Sequence, residues 1–262
     1  MKKKIVTVLA LALALTTFAG CGKADETDQL EKIKSEGKIV FAMEGTWAPW
    51  TYHDESGELV GFDTEVGKAI AAELGVEAEF VEGEWDGLFT GLDTGRYDAV
   101  INGVEITDER SEKYDFTEPY CHIKTALITA SDNDKIRSFE DLDGKRTVNS
   151  LDSTYALLGE SYGAMCENVD SLAETMEMVE SGRSDATLNA EVSFYDYIKE
   201  HPDAKVKIVA LTEDASEVSI PLRKNEYTVN LRNEIDKAIE KLRADGTLSE
   251  LSMKYFGSDI TQ

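Results

Sequence analysis

Three features of the sequence could bind a small molecule that carries a carboxylate. Arg110 offers a planar guanidinium fork that matches a carboxylate through two hydrogen bonds, although a solvated helix residue paired with a neighbouring acid is the ordinary alternative. The segment 152–154 precedes a predicted helix, whose free backbone N–H groups could bind the same carboxylate or simply be capped there. Aromatic faces that could enclose the apolar part of a ligand come from Trp47, Trp50 and Trp85.

Familiar catalytic, cofactor and metal motifs are missing from the sequence. It contains no GxSxG, P-loop or GxGxxG, and His53, His122 and His201 are too scattered to form a metal cluster. We therefore expect no catalytic residues, no cofactor and no metal. Cys121 and Cys166 are expected to be buried free thiols rather than a disulfide. The formal net charge of −25 argues against nucleic acid as a partner, because an acidic surface repels phosphates.

The elements that must position these residues are helices alternating with short apolar strands. Residues 94–103 and 181–190 are similar segments 87 residues apart, and in each a helical pattern ends at a glycine before a predicted buried strand. A second pair of similar segments, 37–40 and 144–148, predicts two further strand starts. Two such pairs indicate two lobes of similar α/β build, with parallel or mixed sheets whose faces are covered.

Three further helices are predicted from the spacing of apolar residues. The first is expected to begin with Asp63 as its N-cap and to end at Gly75. The second lies near the C-terminus and ends near Gly246, and the third runs over residues 247–256. These helices supply apolar faces that can cover a sheet.

The N-terminus has the features of an export signal. A basic start is followed by an apolar run over residues 5–15, which is too short to span a bilayer. Residues 18–21 resemble the lipobox of bacterial lipoproteins, which places cleavage before Cys21 and a lipid on that cysteine; ordinary cleavage is the alternative. We expect a signal peptide at 1–20 and a lipidated, weakly ordered tether at 21–35.

Seven short motifs follow one another along the chain in an order that one protein family shares. They are Glu44 to Trp50, Gly61 to Asp63, Trp85 to Leu88, Gly103 to Arg110, Tyr114 to Tyr120, Ala244 to Leu248 and Lys254 to Gly257. Together they resemble the bacterial extracellular solute-binding proteins of family 3, the amino-acid-binding proteins of ABC importers. Residues 150–154, Asn189 and 194–211 are most similar to the cystine-binding members.

This resemblance implies an α/β, two-lobed fold of the periplasmic-binding-protein type. Mixed sheets with flanking helices would form the lobes, and a two-strand hinge would join them around an interlobe ligand cleft. Lobe 1 is expected at 36–121 and 219–262, and lobe 2 at 122–218. The implied function is that of a monomeric lipoprotein outside the cell membrane or in the periplasm. It would capture a polar amino acid, with cystine as the best guess, and deliver it to ABC permease subunits.

The resemblance also implies a set of ligand-binding residues. They are Glu44, Trp47, Trp85, Gly103, Val104, Glu105, Arg110, Ser150, Ser153, Thr154 and Asn189. Within this set Arg110 is expected to hold the ligand carboxylate and Glu44 to contact the ligand side chain, whereas Trp50 matches a core position.

Two positions depart from the family pattern. The family usually has Thr or Ser at the position of Glu105, and an Asp that receives the ligand ammonium at the position of Ala190. We therefore expect Glu105 to receive the ammonium, because a buried charge without a partner is costly. A Glu105 that faces solvent is the alternative. Glu191 is the competitor, and strand alternation is expected to turn it to the face opposite Ala190.

Two other classes of function compete with transport. A binding-protein fold can act as a lyase or dehydratase, with Glu44, Glu105 or Glu191 as general acid, which would require a raised pKa. A sensor domain is disfavoured because no later segment is apolar enough to carry a signal across a bilayer.

Overall fold

The structure is a computed structural model that describes residues 27–262. The signal peptide predicted at 1–20 and the lipidation predicted at Cys21 lie outside the described residues. Over the described part, no helix is both long and apolar enough to cross a membrane.

The predicted tether at 21–35 is wrong for its described C-terminal part, which forms helix α1 (Gln29–Glu36). Asp28 caps this helix by accepting the N–H of Glu31 at 3.1 Å, and Ile33 is buried in the core. The buried amide of Gln29 donates to Asp98 at 2.7 Å. This segment has a mostly polar composition, but it is ordered by one apolar anchor, one cap and one partly buried hydrogen bond.

The first lobe is built on a parallel sheet of three strands. Its central strand β1 (Lys38–Met43) lies between β4 (Glu77–Glu82) and β5 (Ala99–Val100). A short hairpin joins β2 (Tyr52–His53) to β3 (Leu59–Val60), and β6 (Tyr114–Phe116) pairs with β14 (Pro221–Arg223). The helices of this lobe are α2 (Phe62–Leu74), α3 (Trp85–Asp93), α4 (Asp108–Lys113), α8 (Val229–Ala244) and α9 (Thr247–Phe256).

The second lobe combines antiparallel and parallel pairing. Strand β8 (Thr125–Ala130) lies between its antiparallel neighbours β11 (Thr187–Ala190) and β12 (Val206–Leu211). Strand β9 (Arg146–Asn149) pairs in parallel with β10 (Met165–Asn168). The helices of this lobe are α5 (Thr154–Ser161), α6 (Leu172–Glu180) and α7 (Glu191–Glu200). The prediction of mixed sheets with flanking helices is therefore confirmed.

The chain passes between the lobes at a pair of antiparallel strands. Strand β7 (Cys121–Ile123) pairs with β13 (Ser216–Val218), and Cys121 lies opposite Val218. Both strands lie next to the predicted lobe boundaries, after residue 121 and before residue 219. The boundaries themselves stay a prediction.

The two similar segments adopt the same local structure. Gly95 follows α3 and Gly182 follows α6, with φ angles of 71° and 73° that a side chain would strain. Strands β5 and β11 come next, as predicted. The predicted C-terminal helices are also confirmed as α8 and α9, which end at Ala244 and Phe256.

Asp63 does not have the predicted role of N-cap. Gly61 occupies the cap position of α2, and Asp63 lies inside the first turn, fully buried. Its carboxylate accepts hydrogen bonds from the backbone of Gly103 and from the Tyr120 hydroxyl instead, so a tertiary contact replaces the local one. The helix ends at Gly75 as predicted.

Both predicted thiols are free, since neither Cys121 nor Cys166 forms a disulfide. Cys121 is buried as expected. Cys166 is only half-buried, because it lies on β10 at the edge of the two-stranded pair with β9.

Candidate ligand-binding site

A cavity lies between the two lobes and opens to solvent. Both lobes line it, and nine of the eleven predicted residues lie in its wall. These nine are Glu44, Trp47, Trp85, Gly103, Glu105, Ser150, Ser153, Thr154 and Asn189. Residues that sequence reasoning missed are Asn102, Asn149, Tyr155, Val169, Asp170, Ser171, Leu172 and Thr175. The structure brings the predicted set together; its role in binding stays a prediction.

In lobe 1 the polar wall follows the carboxyl ends of two neighbouring strands. Glu44 comes directly after β1, and Asn102 follows β5. Because parallel strands end at the same edge of a sheet, the two residues meet there. The Asn102 amide donates to Glu44 Oε2 at 2.6 Å, and its Oδ1 accepts the Glu44 backbone N–H at 2.8 Å.

The pKa of Glu44 is raised from its ordinary value to about 7. Burial is the main cause, since it disfavours the charged form. The hydrogen bond from Asn102 opposes the rise, whereas the like charges of Asp170 and Glu84 add to it. The cavity thus contains a carboxylic acid that can change its charge near neutral pH.

Residues of both lobes contact the aromatic side chains of the cavity wall and hold them in place. Trp47 stacks on Trp50 with ring centroids 5.1 Å apart and meets Tyr155 of lobe 2 edge-on at 6.5 Å. Gly103 has a φ of 57°, and a Cβ there would come 2.6 Å from the Trp47 ring. Trp50 is fully buried, in keeping with its predicted core position, and its Nε1 donates to Ser193 of lobe 2 at 3.0 Å.

One polar atom of this aromatic group lacks a partner. Within residues 27–262, Trp47 Nε1 has no hydrogen bond, and Trp47 is only 8% exposed. Buried polar groups without partners are destabilising. A ligand that reaches this atom can supply the missing hydrogen bond.

In lobe 2 the wall is built on the start of α5. Ser153 caps this helix by accepting the N–H of Ala156 at 3.1 Å, and its own hydroxyl donates to the carbonyl of Ser150 at 2.7 Å. Asn189 joins the wall from strand β11, where its Oδ1 accepts the N–H of Ala190 at 2.9 Å. The segment 152–154 therefore caps helix α5. The other backbone N–H groups in the first turn of this helix are compatible with anion binding.

Glu105 reaches from lobe 1 to lobe 2. Its side chain is buried, and the Thr154 hydroxyl donates to Oε1 across the cleft. A backbone bridge to Val218 places it beside the strand pair that joins the lobes. The alternative of a solvent-facing Glu105 is therefore wrong. Glu191 does not line the cavity, in keeping with the expectation that it faces away, but the reason differs, since it is the first residue of helix α7 rather than part of a strand.

Arg110 and Val104 are the two predicted residues outside this cavity. Arg110 lines the neighbouring cavity, where its guanidinium lies 5.2 Å from the Trp85 ring centroid. It donates to the carbonyl of Glu105 at 3.0 Å and, across the cleft, to that of Asp152 at 3.2 Å. Burial lowers its pKa from the ordinary value. The Val104 side chain is fully buried in the core beside Trp85, so only its backbone can face a ligand.

The charges of the cavity wall have one sign. Three carboxylates lie in it, those of Glu44, Glu105 and Asp170, and the described residues add no lysine, arginine or histidine to this lining. A positively charged ligand group would therefore be stabilised here. Of the missed residues, only Asn102 had a signal in the sequence, since it occupies the position equivalent to Asn189 in the paired segments.

Known proteins similar to this chain are binding proteins by name, which is consistent with a ligand-binding role for the cavity. The sequence profile of the bacterial extracellular solute-binding proteins, family 3, matches residues 39–258. A probable amino-acid ABC transporter-binding protein of Haemophilus influenzae is 37% identical over 100% of both chains. The L-cystine-binding protein TcyA of Bacillus subtilis is 34% identical over 99% of this chain and 100% of its own. An ancestral arginine-binding protein bound to arginine is 36% identical, with a TM-score of 0.78 over 84% of this chain and 99% of its own.

Proposed function

The chain belongs to the bacterial extracellular solute-binding proteins of family 3, and we propose that it captures an amino acid for an ABC importer. The ligand binds between the lobes and is delivered to the permease subunits after closure. One observation carries this proposal: the cavity is lined from both lobes, and Thr154 of one lobe donates to Glu105 of the other. A site divided in this way is complete only when the lobes are closed.

Cystine is the proposed ligand. TcyA, a cystine-binding relative, aligns with nearly the whole chain. In this proposal Glu105 receives one ammonium, and the first turn of α5 binds the neighbouring carboxylate. Arg110 reaches the same carboxylate from the adjacent cavity by exchanging its bonds to the Glu105 and Asp152 carbonyls for bonds to the ligand. Trp47 and Trp85 contact the apolar and disulfide portion of the ligand.

We infer that the protein is exported and held outside the cell membrane by lipid on Cys21. The family is extracellular, and residues 18–21 resemble a lipobox. The proposed working form is a monomer, since one chain supplies both walls of the cleft. Metabolic labelling with a fatty acid, compared between the wild type and Cys21→Ser, tests the anchor.

A lyase or dehydratase is the second candidate, and the raised pKa of Glu44 is the observation that favours it. A carboxylic acid with a pKa of about 7 is suited to general acid catalysis at neutral pH. Glu191 does not line the cavity, which leaves Glu44 and Glu105 as the candidate acids.

Mass spectrometry of the small molecule released from purified protein tests the proposal. We expect an amino acid that is returned unchanged after incubation with fresh protein and that binds in calorimetric titration. Conversion of the recovered molecule would instead support catalysis. A protein that binds no amino acid in titration would contradict the proposed transport function.

A further inference from the structure

We propose that residues 258–262 form a strap that restrains the strands between the lobes and favours the closed arrangement. The strap contacts β7, one of the two strands at which the chain passes between the lobes. This inference rests on the proposed function, because it gives the strap control over how tightly the amino acid binds. Arg243 and Ser252 then act as positioning residues, since they affect the ligand only through the strap.

The strap and its anchor contact the chain on both sides of the predicted lobe boundary. The backbone N–H of His122 in β7 donates to the carbonyl of Ile260 at 2.8 Å, on the edge of β7 that faces away from β13. Arg243 of α8 donates to the carbonyl of Thr261 and to that of Pro119, which comes shortly before β7. One guanidinium thus joins the strap to the lobe 1 side of the boundary, whereas the strap itself binds the first residue of predicted lobe 2.

Side chains of lobe 1 fix the conformation of the strap. The hydroxyl of Ser252 in α9 is buried and accepts the N–H of Ile260 at 3.0 Å. The carboxylate of Asp259 accepts from the Ser249 hydroxyl at 2.7 Å and from the N–H and hydroxyl of Thr261 at 3.0 and 2.6 Å. Thr261 is fully buried. The strap is therefore an ordered part of lobe 1.

The second strand between the lobes continues this layer to the ligand cavity. Strand β13 pairs with β7 on one edge, and two backbone hydrogen bonds of 2.9 Å hold the loop 104–106 against its other edge. Between these two bonds Glu105, which lines the cavity, lies opposite Val218. The strap, β7, β13 and the loop with Glu105 are thus neighbours in one hydrogen-bonded layer.

Opening of the lobes is expected to break the contact between the strap and β7. The lobes open by bending the strands between them, and this motion draws the His122 N–H away from Ile260, which stays with lobe 1. In the closed arrangement, where Thr154 donates to Glu105 across the cleft, the contact is intact. The strap therefore stabilises the closed arrangement, and the apparent affinity for the ligand rises with the fraction of closed molecules.

Small-angle scattering of the ligand-free protein tests the strap independently of the ligand. Arg243→Ala removes both carbonyl contacts of the guanidinium, and Ser252→Ala removes the hydroxyl that holds the strap. Each folded variant should have a larger radius of gyration than the wild type, because open molecules become more frequent. Asp28→Ala is the matched control: it removes the N-cap of α1 and the bond from Asn230, at the other end of α8, and should leave the radius unchanged.

Calorimetric titration with L-cystine tests the coupling to binding. Arg243→Ala and Ser252→Ala should each raise the dissociation constant at least about threefold, whereas Asp28→Ala should leave it unchanged. Arg243→Lys keeps the charge without the planar fork, so its dissociation constant should lie between those of the wild type and Arg243→Ala. At saturation with L-cystine the radii of gyration of the wild type and the variants should agree, since all of them reach the same closed arrangement.

A strap with a merely structural role would give a different result. Arg243→Ala and Ser252→Ala would then lower the urea midpoint of unfolding, but the ligand-free radius of gyration and the dissociation constant would equal those of the wild type. Either of these two quantities remaining at the wild-type value in both variants would overturn the inference. Should Arg243→Ala fail to fold, the same comparison with Ser252→Ala decides.

Failure of this inference is distinguishable from failure of the proposed function. Wild-type affinities in the strap variants would overturn the inference and leave the proposed function intact. A wild-type protein that binds neither L-cystine nor another amino acid would contradict the proposed function. The ligand-free radii would still decide on the strap: equal radii would overturn it, and larger radii in both variants would support it as a restraint on the strands between the lobes.

Discussion

The carboxylate of Asp63 accepts the backbone N–H of Gly103 at 2.5 Å and thereby connects helix α2 to the loop that carries Glu105. The Tyr120 hydroxyl donates to the other carboxylate oxygen at 2.8 Å. Burial raises the pKa of Asp63 to about 7, and the two hydrogen bonds only partly oppose this effect. A fully buried acid thus positions one wall of the cleft.

Asp63 is expected to make the folding stability fall as the pH rises. Its pKa is about 7 in the folded protein and near 4 in the unfolded chain, so the folded state binds the proton more tightly. The resulting stabilisation is fully present below about pH 4 and is lost as the pH rises through about 7, with a total of about 4 kcal/mol. Urea unfolding at pH 5 and pH 8 measures this loss.

Asp63→Asn is the test variant, because an amide can still accept from Gly103 and can donate to the Tyr120 hydroxyl. We expect the decrease in unfolding free energy between pH 5 and pH 8 to be smaller in the variant than in the wild type. Asp203→Asn, an exposed acid, serves as control. Equal decreases in all three proteins would show that Asp63 does not titrate in this range.

Ligand binding is expected to compact the protein and raise its melting temperature. Each lobe holds half of the site, and Thr154–Glu105 and Arg110–Asp152 contacts form between them. A Kd of about 1 μM corresponds to about 8 kcal/mol, which is enough to shift a hinge equilibrium of a few kcal/mol. Small-angle scattering with and without bound ligand measures the change. Superimposable profiles would contradict closure.

Local patterns predicted the elements, and the family resemblance predicted nine of the seventeen residues that line the cavity, whereas long-range contacts decided the rest. The helices that end at Gly95 and Gly182 follow from apolar spacing and a glycine stop, which are local signals. Asp63 looked like an N-cap because its sequence position fits one, but Gly103 and Tyr120, 40 and 57 residues away, bind its carboxylate. A local sequence pattern cannot indicate partners that are so distant along the chain.

The positions of Glu191 and Asp170 depend on features that their sequence neighbours do not show. The prediction for Glu191 assumed that the strand continues, but β11 ends at Ala190 and helix α7 begins at once, so strand alternation does not apply. Asp170 stands in a short connection between β10 and α6, and only packing of the lobes brings that connection to the cavity. Its sequence neighbours gave no indication of this position.

Arg110→Ala is expected to reduce ligand affinity by about 2–5 kcal/mol, because a desolvated carboxylate would lose its charged partner. The variant also loses the hydrogen bonds to the Glu105 and Asp152 carbonyls. Arg110→Lys keeps the charge without the fork, so it should fall between the wild type and Arg110→Ala. Calorimetric titration of the folded variants measures the effect, with the exposed Arg183→Ala as control. An affinity loss below tenfold for Arg110→Ala would assign this residue a structural role only.

The ligand ammonium is expected to pair with Glu105 rather than Glu191. A buried ammonium needs a carboxylate, and Ala190 cannot provide one. Glu105 is buried in the cavity wall, where the Thr154 hydroxyl fixes its carboxylate, whereas Glu191 opens helix α7 outside the lining. Glu105→Gln keeps the shape and removes the charge, so the affinity should fall at least tenfold, or about 1.4 kcal/mol.

Glu191→Gln is the matched control for this prediction and should change the affinity little. Thr154→Val removes the hydroxyl that donates to Glu105 while keeping a β-branched side chain, so it should weaken binding less than Glu105→Gln. All variants are compared by calorimetric titration with the ligand recovered from the wild type. A larger loss for Glu191→Gln than for Glu105→Gln would assign the ammonium to Glu191. If neither substitution alters binding, the ammonium is held by carbonyl and hydroxyl groups. The hypothesis that Glu105 replaces the acid that the family usually has at position 190 would then be wrong.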